Sequence, residues 1–125
     1  MNDPSVLIVE DDKDVAELYG RVLESLGFAI EIIRTGEAAL ARLAVAVPNV
    51  VLLDLHLPPS ISGVDILRHI RADQRLTETR VIVVTGHADL AETVKDEADL
   101  VLLKPVDVGQ LSDQVARLQR SRRSD

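Results

Sequence analysis

The sequence predicts an α/β domain, a parallel sheet covered by helices on both faces, and three observations carry that expectation. Short apolar runs rich in β-branched residues alternate with amphipathic segments along all 125 residues. The runs are continuous, as in strands buried on both faces. Four of them close on a chemically useful residue: Glu10-Asp11-Asp12, Asp54, Thr85 and Lys104-Pro105. Strands alternating with helices imply parallel pairing through right-handed crossovers, so the carboxyl ends converge on one edge, where ligands of open α/β sheets bind.

Val6-Leu7-Ile8-Val9 reads as the first central strand. Val15, Leu18, Tyr19, Val22, Leu23 and Leu26 then recur at three- and four-residue spacing, predicting a helix with this face inward, and Gly27 is placed to end it in a left-handed conformation. Phe28 to Ile33 resembles a second strand, and Thr35 can cap a helix through about Ala44. Pro48-Asn49 breaks the chain before Val50-Val51-Leu52-Leu53, a buried strand ending at Asp54. A loop with Pro58, Pro59 and Gly63 leads into a helix carrying Val64, Leu67 and Ile70, and the strand Val81-Ile82-Val83-Val84 ends at Thr85. A weakly patterned helix spans about Leu90 to Glu97, and Leu100 to Leu103 makes the fifth strand. Asp107 can cap a last helix with Val108, Leu111, Val115 and Leu118 inward.

The length and a hydrophobic content of 46% fit one domain over 1–125, with a core over about 5–119. The first four residues and a basic tail at 120–125 read as mobile ends. With no cysteine, thiolate metal sites, disulfides and cysteine nucleophiles are excluded. No apolar run approaches the roughly 20 residues of a membrane helix, and the start lacks a signal-peptide pattern, so the expected setting is cytoplasmic, without membrane contact. A net charge of −7 opposes direct binding of nucleic acid by this domain. The clustered Arg117, Arg120, Arg122 and Arg123 read as a solvated helix end or the start of a linker.

Glu10, Asp11 and Asp54 brought to one sheet edge would repel one another, a conflict that capture of a cation resolves. An oxygen-only set favours magnesium, or manganese, over zinc. Asp54 could then attack phosphorus as a carboxylate nucleophile, with Lys104 and the Thr85 hydroxyl holding oxygens of the transferred group, giving an aspartyl phosphate. Asp12 reads as the cap of the following helix. His56, His69 and His87 are widely separated and lack a paired helix motif, so they read as solvated or partly buried rather than as a metal site.

Val-Leu-Ile-Val-Glu-Asp-Asp at 6–12, Val-Val-Leu-Leu-Asp-Leu-His-Leu-Pro at 50–58 with Gly63 beyond, Val-Ile-Val-Val-Thr-Gly at 81–86 and Ala-Asp-Leu-Val-Leu-Leu-Lys-Pro at 98–105 together resemble the receiver domain of two-component response regulators. The resemblance covers nearly the whole chain. It implies a flavodoxin-like, chemotaxis-regulator-like (βα)5 sandwich with a five-stranded parallel sheet of order 2-1-3-4-5. It further implies Asp54 as phosphoacceptor, Asp11 as direct magnesium ligand, Glu10 as holder of metal-bound water, and the His56 backbone carbonyl as a third protein ligand. Thr85 and Lys104 fall on the phosphoryl-sensing hydroxyl and the phosphoryl-binding lysine, and the Lys-Pro bond is expected to be cis. His56 and His87 fall on positions that tune the lifetime of the phosphorylated state. The implied donor is a histidine kinase or phosphotransfer protein, and the implied target an output domain or partner protein. Such a domain is a signalling phosphoacceptor that assists its own phosphorylation and dephosphorylation, not an enzyme acting on a separate substrate.

Three departures stand beside the resemblance. The segment from Asp54 to Gly63 is one residue longer than usual, so its loop is expected to bulge beside the metal site. Between Thr85 and Lys104 the chain is about three residues shorter, with Glu97-Ala98 replacing the usual Gly-Ala pair, and the fourth helix should lose nearly a turn. Val101 stands at the switch position, where the family carries a rotating aromatic. Two other classes remain open: a pseudo-receiver interaction module, and a magnesium-dependent phosphatase or phosphotransferase. The second is disfavoured because His56 stands where those enzymes place another acid.

Overall fold

The computed structural model describes residues 4–57 and 61–123. Its strands are β1 (Ser5–Val9), β2 (Ala29–Ile33), β3 (Val50–Asp54), β4 (Arg80–Thr85) and β5 (Leu100–Leu103), and its helices are α1 (Lys13–Ser25), α2 (Gly36–Leu43), α3 (Gly63–Ala72), α4 (Ala88–Val94) and α5 (Val108–Arg123). All pairings are parallel, in the order β2-β1-β3-β4-β5. This is the expected flavodoxin-like sheet.

Successive side chains of a strand point to opposite faces, and the two halves of the core follow that alternation. Leu7, Val9, Val51, Leu53, Val81 and Val83 face one way, against Ala39 and Leu43 of α2, Ile66, Leu67 and Ile70 of α3, and Val94 of α4. Val6, Ile8, Val50, Leu52, Ile82 and Val84 face the other, against Ala16, Tyr19 and Leu23 of α1 and Leu111 and Val115 of α5. The central strands therefore have no polar face, which is why they read as unbroken apolar runs. The register sets Val9 beside Leu53, Asp54 beside Val84, and Thr85 beside Leu103, aligning the strand ends.

Caps fix where the helices begin. Asp12, Thr35 and Ser62 accept from backbone N–H groups of α1, α2 and α3, and Asp107 Oδ1 accepts the Gln110 N–H at 2.9 Å at the start of α5. Gly27, with φ 96°, supplies the left-handed turn after α1.

Several details differ from the sequence expectation. Phe28 lies outside β2 but packs into the α1/α5 core. Leu18 and Val108, expected inward, are 41% and 40% exposed. Leu18 sits on the outer side of α1, where apolar spacing alone overstates the buried stripe, and Val108 occupies the first turn of α5 before the helix closes onto the sheet. Ile66, not singled out beforehand, is fully buried. A 3-10 turn at Gln74–Leu76 precedes β4, capped by Asp73. The fourth helix is short, as expected, but runs over Ala88–Val94, starting and ending earlier than the pattern suggested. The backbone of α5 continues to Arg123, so 120–123 extend the helix where a tail was expected. No described helix is long and apolar enough to cross a membrane.

Candidate functional site

Glu10 is the first residue past β1, its N–H donating to Ile33 O at 3.0 Å. Asp12 is taken up by the helix cap, accepting the Val15 N–H at 3.1 Å, which leaves the other two acids of the triplet for the sheet edge. Glu10 Oε2 accepts the Asp12 N–H at 3.1 Å, and Glu10 Oε1 is buried without a hydrogen-bond partner among the described residues. The Arg34 guanidinium, just beyond β2, donates to the Asp11 carbonyl at 3.0 and 3.3 Å and ties the acidic loop to the neighbouring strand.

Asp54 ends β3 and is 3% exposed. Its Oδ1 accepts the His56 N–H at 2.9 Å and its Oδ2 the Lys104 ammonium at 3.0 Å. Lys104 Nζ also stands 3.7 Å from Glu10 Oε1, so one cation faces both buried carboxylates. Lys104 is held by its own N–H, which donates to Thr85 O at 2.8 Å, and its bond to Pro105 is cis, as the resemblance implied. Gly63 packs so closely against the backbone at the end of β3 that a Cβ would overlap Asp54 O and the Leu55 Cα.

Thr85 is fully buried, and its Oγ1 accepts the His87 N–H at 3.1 Å, so its hydroxyl is engaged with its own loop. The rings of His56 and His87 stand 5.8 Å apart at 46°. Val101 is half-buried against the α2/α3/α4 core. Of the loop extension expected beside the site, Pro58, Pro59 and Ser60 lie outside the described residues.

Electrostatics follow from this crowding. Burial pushes the Glu10 carboxyl up to about 7, helped by the Asp54 charge and opposed by the Asp12 N–H and Lys104. Burial pulls the Lys104 ammonium down, but its hydrogen bond to Asp54 and the Asp54 and Glu10 charges outweigh that and hold it above the ordinary lysine value. Burial also raises the Tyr19 hydroxyl, with the Glu10 charge adding to it.

Ligand oxygens of Glu10, Asp11 and Asp54 all lie within 4.8 Å of one another. With the orphaned Glu10 Oε1 beside them, this oxygen-only set fits a hard divalent cation such as magnesium. Sequence reasoning found these acids and Lys104 because each closes an apolar run. It missed Arg34, whose contribution comes through the reach of a long side chain, and Tyr19, which reads simply as a core position of α1.

A lysine bridging buried carboxylates at the carboxyl edge of a 2-1-3-4-5 sheet defines a receiver-type α/β domain. The chain belongs to the response regulator receiver domain family, which it matches over residues 6–116. It is 34% identical over 117 residues to the DNA-binding response regulator MtrA of Mycobacterium tuberculosis, covering 93% of this chain and 51% of that protein. It is 35% identical over 112 residues to the acid tolerance regulatory protein ActR of Rhizobium meliloti, covering 87% of this chain and 56% of that one. The chain thus spans about half the length of these relatives. Among solved structures it is similar to a CheY-like response regulator receiver domain from Methylobacillus flagellatus, with TM-score 0.82 and 28% identity over 93% of this chain and 98% of that one. It is also similar to the response regulator TrrA of Thermotoga maritima, solved in complex with Mg2+-BeF, with TM-score 0.81 and 25% identity over 92% of this chain and 98% of that one.

Proposed function

We propose that this chain is a phosphoacceptor that takes a phosphoryl group onto Asp54 from a histidine kinase or phosphotransfer protein and thereby switches an output domain or partner protein. The observation that carries the reading is Lys104 Nζ at 3.0 Å from Asp54 Oδ2, with Glu10 and Asp11 beside it. An Asp54 carboxylate oxygen attacks phosphorus; the bond from phosphorus to the donor histidine nitrogen breaks, and the departing imidazole keeps that electron pair and is protonated. The product is an acyl phosphate. Asp11, Asp54 and the His56 carbonyl would hold magnesium, with Glu10 holding metal-bound water, and the ion would supply charge neutralisation for the phosphoryl oxygens.

The chain's own groups do the rest. The His56 N–H holds Asp54 Oδ1, which orients the carboxylate and leaves Oδ2, paired with the Lys104 ammonium, as the attacking atom. Lys104 is about one-third exposed and can follow the charge from Asp54 onto the phosphoryl group. The Thr85 hydroxyl, which accepts the His87 N–H, keeps its own O–H to donate to a phosphoryl oxygen. Val101 and the short α4 also suit a pseudo-receiver governed by partner contact, and one assay separates the readings. With acetyl phosphate and magnesium, intact-mass measurement should show one added phosphoryl group, absent in Asp54→Asn and absent with chelator. Labelling that persists in Asp54→Asn overturns the site; no labelling of the native chain by acetyl phosphate or a phosphorylated histidine donor favours the pseudo-receiver.

A further inference from the structure

We propose that the side chains of His56 and His87 form a second cation site at the rim of the acidic pocket, one that takes a borderline transition ion such as Zn2+ rather than magnesium. Sequence spacing gives these histidines no metal-binding motif, but β3 and β4 are adjacent and parallel. Each histidine follows its strand end by two residues, His56 after Asp54 and His87 after Thr85. Each backbone is pinned there, His56 N–H to Asp54 Oδ1 at 2.9 Å and His87 N–H to Thr85 Oγ1 at 3.1 Å. The two imidazoles are therefore delivered to the same place by a rigid sheet edge.

Their separation suits a shared ion. Zinc bound to one nitrogen of a ring at about 2.0–2.1 Å lies about 3.2 Å from that ring's centre, so two rings on a tetrahedral ion stand about 5.2 Å apart. The observed 5.8 Å is close to that distance, and both residues are exposed and able to turn about their side-chain torsions. The neighbouring pockets then sort ions by donor type: carboxylate oxygens for magnesium, imidazole nitrogens for zinc, copper or nickel. The acidic cluster beside them raises the local cation concentration for both. Two protein ligands leave the remaining positions of the ion to water. The inference does not depend on phosphorylation of Asp54.

The test is a zinc titration of the full chain in saturating magnesium, followed through the imidazole resonances. His69, exposed on α3, is the internal control. His56 and His87 should respond together to a one-to-one endpoint, with His69 shifting only at higher zinc. His87→Ala and His56→Ala should each weaken binding by about tenfold or more, and Asp54→Asn should retain it. Three histidines that respond independently overturn the proposal. So does zinc binding that survives the double alanine variant and is lost in Asp54→Asn, because the ion would then occupy the carboxylates.

Discussion

Replacing Glu10 by glutamine should make the metal-free protein more stable at alkaline pH, although it deletes a charge at the heart of the site. Glu10 is 1% exposed, and its carboxyl is raised from 4.5 to about 7. A folded-state value above the unfolded one means that the folded chain holds the proton more tightly. The associated stability is fully present below pH 4.5 and is lost as pH rises through about 7. At about 1.4 kcal/mol per pH unit, the native protein gives up roughly 3 kcal/mol from this one group between those limits. The glutamine amide of the variant cannot ionise, so the variant avoids that loss while keeping an oxygen to accept the Asp12 N–H.

Urea unfolding followed by circular dichroism, in chelator, at pH 5 and pH 8 measures the difference directly. The two proteins should be close at pH 5, and Glu10→Gln should be the more stable by roughly 2–3 kcal/mol at pH 8, since relaxation around the buried pair trims the full value. Magnesium at pH 8 should reverse the order, because it stabilises the native carboxylate set by mass action and the variant less. A variant less stable than the native chain at pH 8, or a difference that does not change with pH, would show that Glu10 is already comfortably charged and that the crowding argument is wrong.

Lys104→Ala should bind magnesium at least as tightly as the native chain, since a competing cation is gone, while acetyl phosphate labelling falls about tenfold or more; unchanged labelling by intact mass assigns the role to another cation. Gly63→Ala forces backbone to move at Asp54 and Leu55 and should cost roughly 1–3 kcal/mol in urea unfolding, and an unchanged midpoint would refute the close approach. His56→Ala and His87→Ala, made singly, should each change the autodephosphorylation rate several-fold, and two unchanged rates remove them from the hydrolytic path. Hydrogen exchange on the free and beryllofluoride-bound chain should change most across residues 85–97; a response confined to α5 would place the output face elsewhere.

What the sequence revealed, and what it hid, follows from how each residue acts. Val50 to Leu53 announce a central strand because every one of them is buried, leaving no polar alternation to confuse the pattern. Asp54, Thr85 and Lys104 were legible because each interrupts such a run at its carboxyl end. Helix faces were less clear: Leu18 and Val108 fit an apolar spacing but stand on its solvent side, since a period fixes the centre of a buried stripe better than its width. The 3-10 turn at Gln74–Leu76 depends on one local cap by Asp73. Arg34 reaches the Asp11 carbonyl from the neighbouring strand, and the His56 and His87 rings meet from adjacent strands, through contacts that no local spacing encodes.

The two ends of α4 are held very differently, and that asymmetry would let a phosphorylated site signal without an aromatic switch. Past its C-terminus, Arg71 donates to Glu97 O at 2.6 Å and to Asp99 Oδ2 at 2.9 Å, and Asp99 in turn accepts the Val81 N–H at 2.7 Å. Val94, the one fully buried residue of the helix, anchors the same end. At the other end His87 caps α4 without a side-chain bond, and the loop's hold is the Thr85 hydroxyl accepting the His87 N–H. If the Thr85 side chain turns to donate its O–H to a phosphoryl oxygen, its oxygen moves away from the His87 N–H and the first turn should loosen. Val101 has no ring to swing and is stiff about its first torsion, so it cannot carry the displacement through β5. The expected response to phosphorylation is then a tilt of a seven-residue helix about its pinned C-terminal end, with hydrogen exchange at Ala88 to Ala91 changing most; equal change at both ends of the helix would refute it.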